Sequence, residues 1–228
     1  MVTVARVWAR IDRARVREHL VDANDGIIAS AGIVEGLIGA GASSTILHVA
    51  SVAAMVGGGI ALGGMRYAEA ADERDAQQAT LEAERRRIAL TPAEEEAELA
   101  ELYQDRGLSP ELARAVAAEL SAGDALAAHA EAEYGIVLRD RPAPLWVTAV
   151  LAGLAFGLGA GVPLLVVQLA PPAWRGAATI LAVVAALSLT ALVIATLGRT
   201  KILRTLFRTV SIGVATMVLT YLGGSLVG

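Results

Sequence analysis

After Asp140, as far as Gly228, the sequence contains no aspartate or glutamate, and Leu, Val, Ala and Gly dominate it. Such a stretch has no polar face to turn to water, and in a bilayer only a helix satisfies the backbone hydrogen bonds of one segment from within. The acids lie elsewhere: eighteen of the 23 fall between Glu69 and Asp140. The chain therefore divides into apolar parts suited to lipid and one acidic, water-soluble module. The 55% hydrophobic and only 18% charged residues argue against a soluble single domain. The absence of cysteine also excludes disulfides, thiolate metal sites, iron-sulfur clusters and cysteine nucleophiles.

Five stretches, near 26–46, 47–68, 145–169, 176–198 and 206–227, reach the roughly 20 residues that a helix needs to cross a bilayer. Asp25 and Glu35 interrupt the first, and Gly57, Gly58, Gly59, Gly63 and Gly64 thin the second. Pro163 is expected to kink the third, and Pro171 with Pro172 ends its connection to the fourth. In a five-span arrangement, eighteen of the nineteen basic residues lie on one side and only Arg175 on the other. The excess of arginine and lysine on the inner side then puts the N-terminus and the acidic module in the cytoplasm and the C-terminus outside. Arg and Glu break any apolar core in the first 20 residues, so no cleavable signal is expected there. Val4, Trp8 and Ile11 at helical spacing beside arginines predict a helix lying on the inner membrane surface, with a frayed solvated tail as the alternative. The expected organisation is an N-terminal amphipathic segment (1–22), transmembrane helices one and two (23–70), a cytoplasmic acidic helical domain (71–142) and transmembrane helices three to five (143–228). The expected fold is an all-α membrane protein of five transmembrane helices with a cytoplasmic helical insertion after the second.

Within the insertion, Ala, Glu and Arg favour helix. One helix is expected to continue from the second span to Leu90. Thr91, Pro92 and Glu94 read as a capping box opening the next, which stops at Gly107. Ser109 and Pro110 start another, and Gly123 with Asp124 breaks it before a short last helix ending at Gly135. Helices this short bury little core, so the module is expected to lean on a partner copy. Glu95 and Glu98 are three apart and His129 and Glu133 four apart, so each pair shares a helix face. Carboxylates with an imidazole suit a divalent ion of intermediate hardness, ferrous iron or manganese. Glutamates on solvated helices are also common without any ion, and spacing alone favours that plainer reading.

Several runs resemble the vacuolar iron transporter family in the same order along the chain. They are Asn24-Asp25-Gly26-Ile27-Ile28 with Gly32 and Gly36, the run Gly57 to Tyr67, Pro92 with Gly107-Leu108-Ser109-Pro110-Glu111-Leu112, and Glu133-Tyr134-Gly135-Ile136. The resemblance implies a homodimeric exporter that moves ferrous iron and related divalent ions out of the cytosol in exchange for protons. It implies an ion path between the two copies of the first two spans, and cytoplasmic helices that collect metal with glutamates and methionines. Asp25 matches the family's first-span aspartate. Counting without gaps from Tyr67 through Pro92, Glu84, Glu95 and Glu98 match its metal-binding glutamates, and anchoring on Gly135 puts Glu133 on the last one.

The sequence also departs from that pattern. Ala54 stands where the family has a second-span glutamate, and Ala61 and Leu62 where it has serine and methionine. Arg87 replaces another glutamate of the cytoplasmic site, and His129 and Ala130 replace paired methionines. An imidazole can rebuild the cytoplasmic site, whereas the membrane path needs other groups. An ionisable residue inside a span is costly, and function is its default reading, which singles out Glu35; a carboxyl kept protonated or snorkelling outward is the alternative. Along the second span His48, Met55, Leu62 and Glu69 recur every seven residues on nearly one stripe. Met55 neighbours Ala54, although ordinary packing explains a methionine there better. Glu69 sits at the cytoplasmic mouth, and His48 fits an interfacial position near the outer turn. Gly59 and Gly63 are expected to serve close helix packing, with the dimer seam as one candidate.

The reading is thus a divalent metal exporter in a bilayer, a bacterial inner membrane by composition and brevity, with protons as counter-ion. Its transport path would use Asp25, Glu35, Met55 and Glu69. Its metal sites would use Glu84, Glu95, Glu98, His129 and Glu133, with Fe2+, Mn2+ or Co2+ as the bound and carried ion. The competing reading is a membrane-anchored metal-buffering or interaction module that no longer transports. Enzyme chemistry finds no support, because His19, His48 and His129 assemble into no recognisable nucleophile motif. Phosphate-cradling loops are absent, since the glycines of the second span lie inside lipid. Nucleic acid is an unsuited partner for an acidic module.

Overall fold

The computed structural model describes residues 13–138 and 144–228, and among these every regular element is helical. The segment through Val4, Trp8 and Ile11 lies outside the described residues. The helices are α1 (Arg13–Gly39), α2 (Ser44–Leu90), α3 (Pro92–Asp105), α4 (Pro110–Tyr134), α5 (Leu145–Leu169), α6 (Arg175–Gly198) and α7 (Ile202–Ser225), with a 3-10 turn at Pro172–Trp174 before α6. They form two compact units: one from the residues up to Tyr67 together with those from Trp146 onward, the other from Ala68 to Leu145.

In the first unit, α2, α5, α6 with its preceding turn, and α7 are long and apolar enough to cross a membrane. α1 falls short of that apolarity, although five spans are expected from the sequence. The reason is visible in its packing. Ile27 and Ala31 join Val183, Leu187 and Met217 in one buried cluster, and Val34 joins Leu47 and Val167 in another, so α1 packs against α2, α5, α6 and α7. Such a helix can hold polar residues such as Asp22, Asn24 and Glu35 against its neighbours, which lowers its overall apolarity.

Glycine permits these approaches. A side chain at Gly26 would run into the backbone of Phe156 in α5, and one at Gly159 into that of Ala23 in α1. Gly224 of α7 is pressed just as closely on Gly36 of α1. A Cβ on Gly63 would lie 2.7 Å from the Ala149 carbonyl oxygen, and one on Gly153 2.7 Å from that of Gly59. Gly59 and Gly63 therefore serve a crossing of α2 with α5 inside one chain. Pro163 is accommodated inside α5 without ending it. The C-terminus of α6 closes on Arg199 in the left-handed region at φ 51°, and the Arg17 guanidinium lies beside Gly198, where a cation suits the negative end of a helix.

In the second unit, α3 and α4 pack through Leu99, Ala100, Ala117 and Ala132, flanked by Leu102, Tyr103, Leu120 and Ala128. Small alanines let the two helices lie close, and Arg106 donates to the Ala132 carbonyl. Ser109 caps α4 as its sequence predicts, accepting the Leu112 N–H at 3.4 Å. Thr91 does not form the expected capping box. Its hydroxyl donates back to the Arg87 carbonyl at 3.2 Å, closing the end of α2, and only its backbone carbonyl receives the first N–H groups of α3. The predicted break at Gly123 and Asp124 is a kink: Asp124 leaves helical geometry (φ −123°, ψ 84°), and its carboxylate accepts the Ala127 N–H at 3.0 Å.

Candidate functional site

The second unit brings together side chains that are far apart in sequence. Glu84 lies near the end of α2 and Arg87 one turn later. Glu95 is in the first turn of α3, and His129 and Glu133 occupy successive turns at the end of α4. The kink at Asp124 precedes these last two residues. Glu84 and His129 are fully buried, and Glu95 is 6% exposed.

His129 Nδ1 stands 3.1 Å from Glu84 Oε1 and 4.0 Å from Glu95 Oε2. Glu84, His129 and Glu133 each offer one ligand atom, and the three atoms lie within 4.8 Å of one another. On the other side of Glu84, Arg87 pairs with Oε2, donates to the Tyr134 hydroxyl at 2.5 Å and lies 3.7 Å from Glu133 Oε2. The Tyr134 hydroxyl is 3.5 Å from Glu84 Oε2. Four buried atoms are left without a hydrogen-bond partner among the described residues: Glu84 Oε1, Glu95 Oε2, His129 Nδ1 and Glu133 Oε2. The contact between Glu84 and His129 is thus one of proximity rather than of hydrogen-bond geometry. A buried polar atom without a hydrogen bond costs about 1–3 kcal/mol, so the grouping of such atoms on Glu84, His129 and Glu133, with Glu95 beside His129, favours a bound cation. One imidazole nitrogen with carboxylate oxygens suits divalent ions of intermediate hardness. A cleft of about 230 Å³, lined among others by Glu95, Ser121 and His129, reaches this cluster from one side.

The electrostatics follow the burial. Glu95 titrates above the usual carboxylate range, first because burial removes water from it and then because Glu84 repels its charge. Tyr134 is pushed up to about 12 by burial, by its hydrogen bond with Glu133 and by that carboxylate's charge. Burial alone would lower the Arg87 guanidinium, but Glu84, Tyr134, Glu133 and Glu95 together raise it above its ordinary value.

The remaining candidates are placed differently. Glu98 is exposed, one turn beyond Glu95, near enough to raise it but outside the converging set. Glu69 is exposed on α2. Asp25 lies on an exposed stripe of α1 with Val21, Ala29 and Ile33, whereas Glu35 is 2% exposed beside the start of α6, with Oε1 unpartnered. The two carboxylates thus occupy different faces of α1. Met55 lines a long apolar groove between α2 and α5 with Gly59, Gly63 and Gly153. His48 donates to the Ser44 carbonyl at 2.6 Å in the first turn of α2.

Sequence reasoning gave no role to Asp22, Arg66 or Tyr134. Arg66 donates to Asp22 Oδ1 through Nε at 3.2 Å and Nη2 at 2.7 Å, tying α2 to α1, and Asp22 is 1% exposed. An arginine at the end of an apolar run needs a counter-charge, and Asp22, one turn before Asp25, was the available one. Thr190 likewise donates to Asn24 at 2.6 Å and links α6 to α1.

The sequence matches the VIT family over residues 16–225. The chain belongs to the VIT family. Among curated relatives, the vacuolar iron transporter of Acanthamoeba castellanii is 34% identical over 163 residues, which cover 70% of this chain and 58% of that protein. Vacuolar iron transporter 1 of Arabidopsis thaliana is 29% identical over 165 residues, 69% of this chain and 64% of the relative. Vacuolar iron transporter 2 of Oryza sativa subsp. japonica is 28% identical, covering 72% and 67% respectively. The chain therefore spans less than two thirds of the length of the first two. Its apolar helices and its membership of the VIT family make it an integral membrane protein.

Proposed function

We propose that this VIT family chain moves ferrous iron, with manganese and cobalt as related cargo, out of the cytosol in exchange for protons. The single observation carrying this reading is the convergence of Glu84, Glu95, His129 and Glu133, each of which has a buried atom without a hydrogen-bond partner among the described residues. The names of the relatives, iron transporters, point to the same cargo. In this reading α1 also crosses the membrane, as the first of five spans. The acidic unit is a cytoplasmic insertion that gathers the ion, with Glu98 at its rim and Glu69 at the mouth. The N-terminus is inside, the C-terminus outside, and the host membrane is a bacterial inner membrane.

The path is proposed to run along α1 and α2 at a seam between two copies. Support comes from Asp25, which lies on an exposed stripe of α1 that a second copy can cover. Glu35, buried and partnerless, is the second membrane carboxylate, and Met55 is a soft ligand beside Ala54. Exchange follows from competition, because a carboxylate must lose its proton to hold a metal. The anchored-buffer reading draws on one observation: Ala54 and Leu62 are apolar, and the groove beside Met55 is lined almost wholly by apolar groups.

Proteoliposomes containing a metal-quenched dye decide between the two readings. Flux of Fe2+, Mn2+ or Co2+ that grows with a proton gradient and vanishes in Asp25→Asn supports transport. No flux in the wild type, while the cytoplasmic sites still bind metal, leaves the buffer.

A further inference from the structure

The cluster around Glu84 is divided by Arg87, which stands where the resemblance places a glutamate. One oxygen of Glu84, Oε2, is held by the Arg87 guanidinium, whose Nη2 also reaches the Tyr134 hydroxyl at 2.5 Å. The other, Oε1, turns to His129 Nδ1 at 3.1 Å and has no hydrogen-bond partner among the described residues. The Arg87 side chain is 41% exposed and that of His129 is 1% exposed, so the arginine forms the outer wall and the histidine the inner one. The cleft lined by Glu95, Ser121 and His129 opens to the inner half.

Resting on the metal-binding reading above, we propose that Arg87 is the resident cation of the outer half, so the cluster accepts one divalent ion, on its inner half. Charge balance gives the count. Glu84, Glu95 and Glu133 are three carboxylates and Arg87 is one positive charge. A single divalent ion bound to neutral His129 brings the sum to zero, and a second would leave the site with two uncompensated positive charges in a largely buried place. The guanidinium also fills the space next to Glu84 Oε2 and Tyr134 that another ion would need. A glutamate in place of Arg87 would reverse both effects, adding a ligand and changing the local charge by two.

The test uses the full chain in detergent micelles with Mn2+ as the probe, counted after equilibrium dialysis. A Glu84→Gln, His129→Ala double variant supplies the background from other acids. Above that background, the wild type and Arg87→Lys should each bind one ion per chain and give the spectrum of an isolated Mn2+ by electron paramagnetic resonance. Arg87→Glu should bind two and show the broadening of magnetically coupled neighbours. Arg87→Gln keeps the inner ligands, which burial holds in place, and removes the positive neighbour, so its first Mn2+ should bind about tenfold more tightly. Should Arg87→Glu not fold, the comparison of Arg87→Gln with Arg87→Lys still decides. One ion in Arg87→Glu, or equal affinity in wild type, Arg87→Lys and Arg87→Gln, overturns the role of Arg87 and leaves the metal site standing. Counts at background in every variant overturn the metal site and this inference with it.

Discussion

Glu35→Leu should make the protein more stable and inactive at once. Glu35 is 2% exposed, and its Oε1 has no hydrogen-bond partner among the described residues. Its surroundings offer little compensation: a Cβ placed on Gly176 of α6 would lie 3.5 Å from Oε2, 3.8 Å from Oε1 and 3.9 Å from the Ile38 side chain. Leaving a buried polar group unsatisfied costs about 1–3 kcal/mol, and a leucine of similar size removes that cost. For a chain of this length 1 kcal/mol corresponds to about 2–4 °C in Tm, so the variant should melt roughly 2–12 °C higher. Glu35→Gln keeps an unsatisfied polar end, and its Tm should stay close to that of the wild type. Both variants should lose metal flux and its dependence on a proton gradient, since neither side chain can release a proton or bind metal with charge. Tryptophan fluorescence during a thermal ramp in detergent, paired with proteoliposome flux, reads both halves. A lower Tm in Glu35→Leu, or undiminished flux in either variant, would refute the reasoning.

Arg66→Ala should cost about 3–5 kcal/mol by leaving the buried Asp22 carboxylate without its main partner, whereas Asp22→Leu combined with Arg66→Met should recover most of the loss; thermal size-exclusion profiles of the single and double variants check this. His129→Ala should weaken Fe2+ and Co2+ binding by at least about tenfold and Mg2+ binding much less, measured by calorimetry on the full chain. Because burial raises Glu95, protons compete with metal above the usual carboxylate range, so Mn2+ affinity should fall as pH drops through that raised window, and Glu95→Gln should flatten this part of the profile. The sign for stability is opposite: the metal-free fold holds that proton more tightly than the unfolded chain, so it should gain stability as pH falls through the same window in a thermal ramp.

Much of the architecture was legible in the sequence because apolar length and charge asymmetry act over whole segments. The four apolar helices, the continuation of α2 to Leu90, and the Ser109 cap all follow from patterns spread over several residues. Thr91 shows the limit of local signals. A threonine before Pro92 can cap forward or close the preceding helix, and here, as the one residue between α2 and α3, its hydroxyl does the latter. At the site, spacing could pair His129 with Glu133, but only tertiary packing separates buried Glu95 from exposed Glu98, or brings Arg87 and Tyr134 onto one oxygen of Glu84. The bond between Arg66 and Asp22 spans 44 residues of sequence and leaves no periodic trace.

The glycines of α2 differ in kind: Gly59 and Gly63 are closed against α5, whereas side chains at Gly57 and Gly64 would meet nothing within 4 Å. Since the chain has no cysteine of its own, a thiol introduced at Gly57 or Gly64 is the sole thiol in the molecule. Water-soluble and lipid-soluble maleimides applied to Gly57→Cys and Gly64→Cys can therefore report, without background, which points of this helix see water in each ionic condition. The same pair of positions offers attachment points for spin labels, so two copies in one micelle could be ranged against each other by a single substitution.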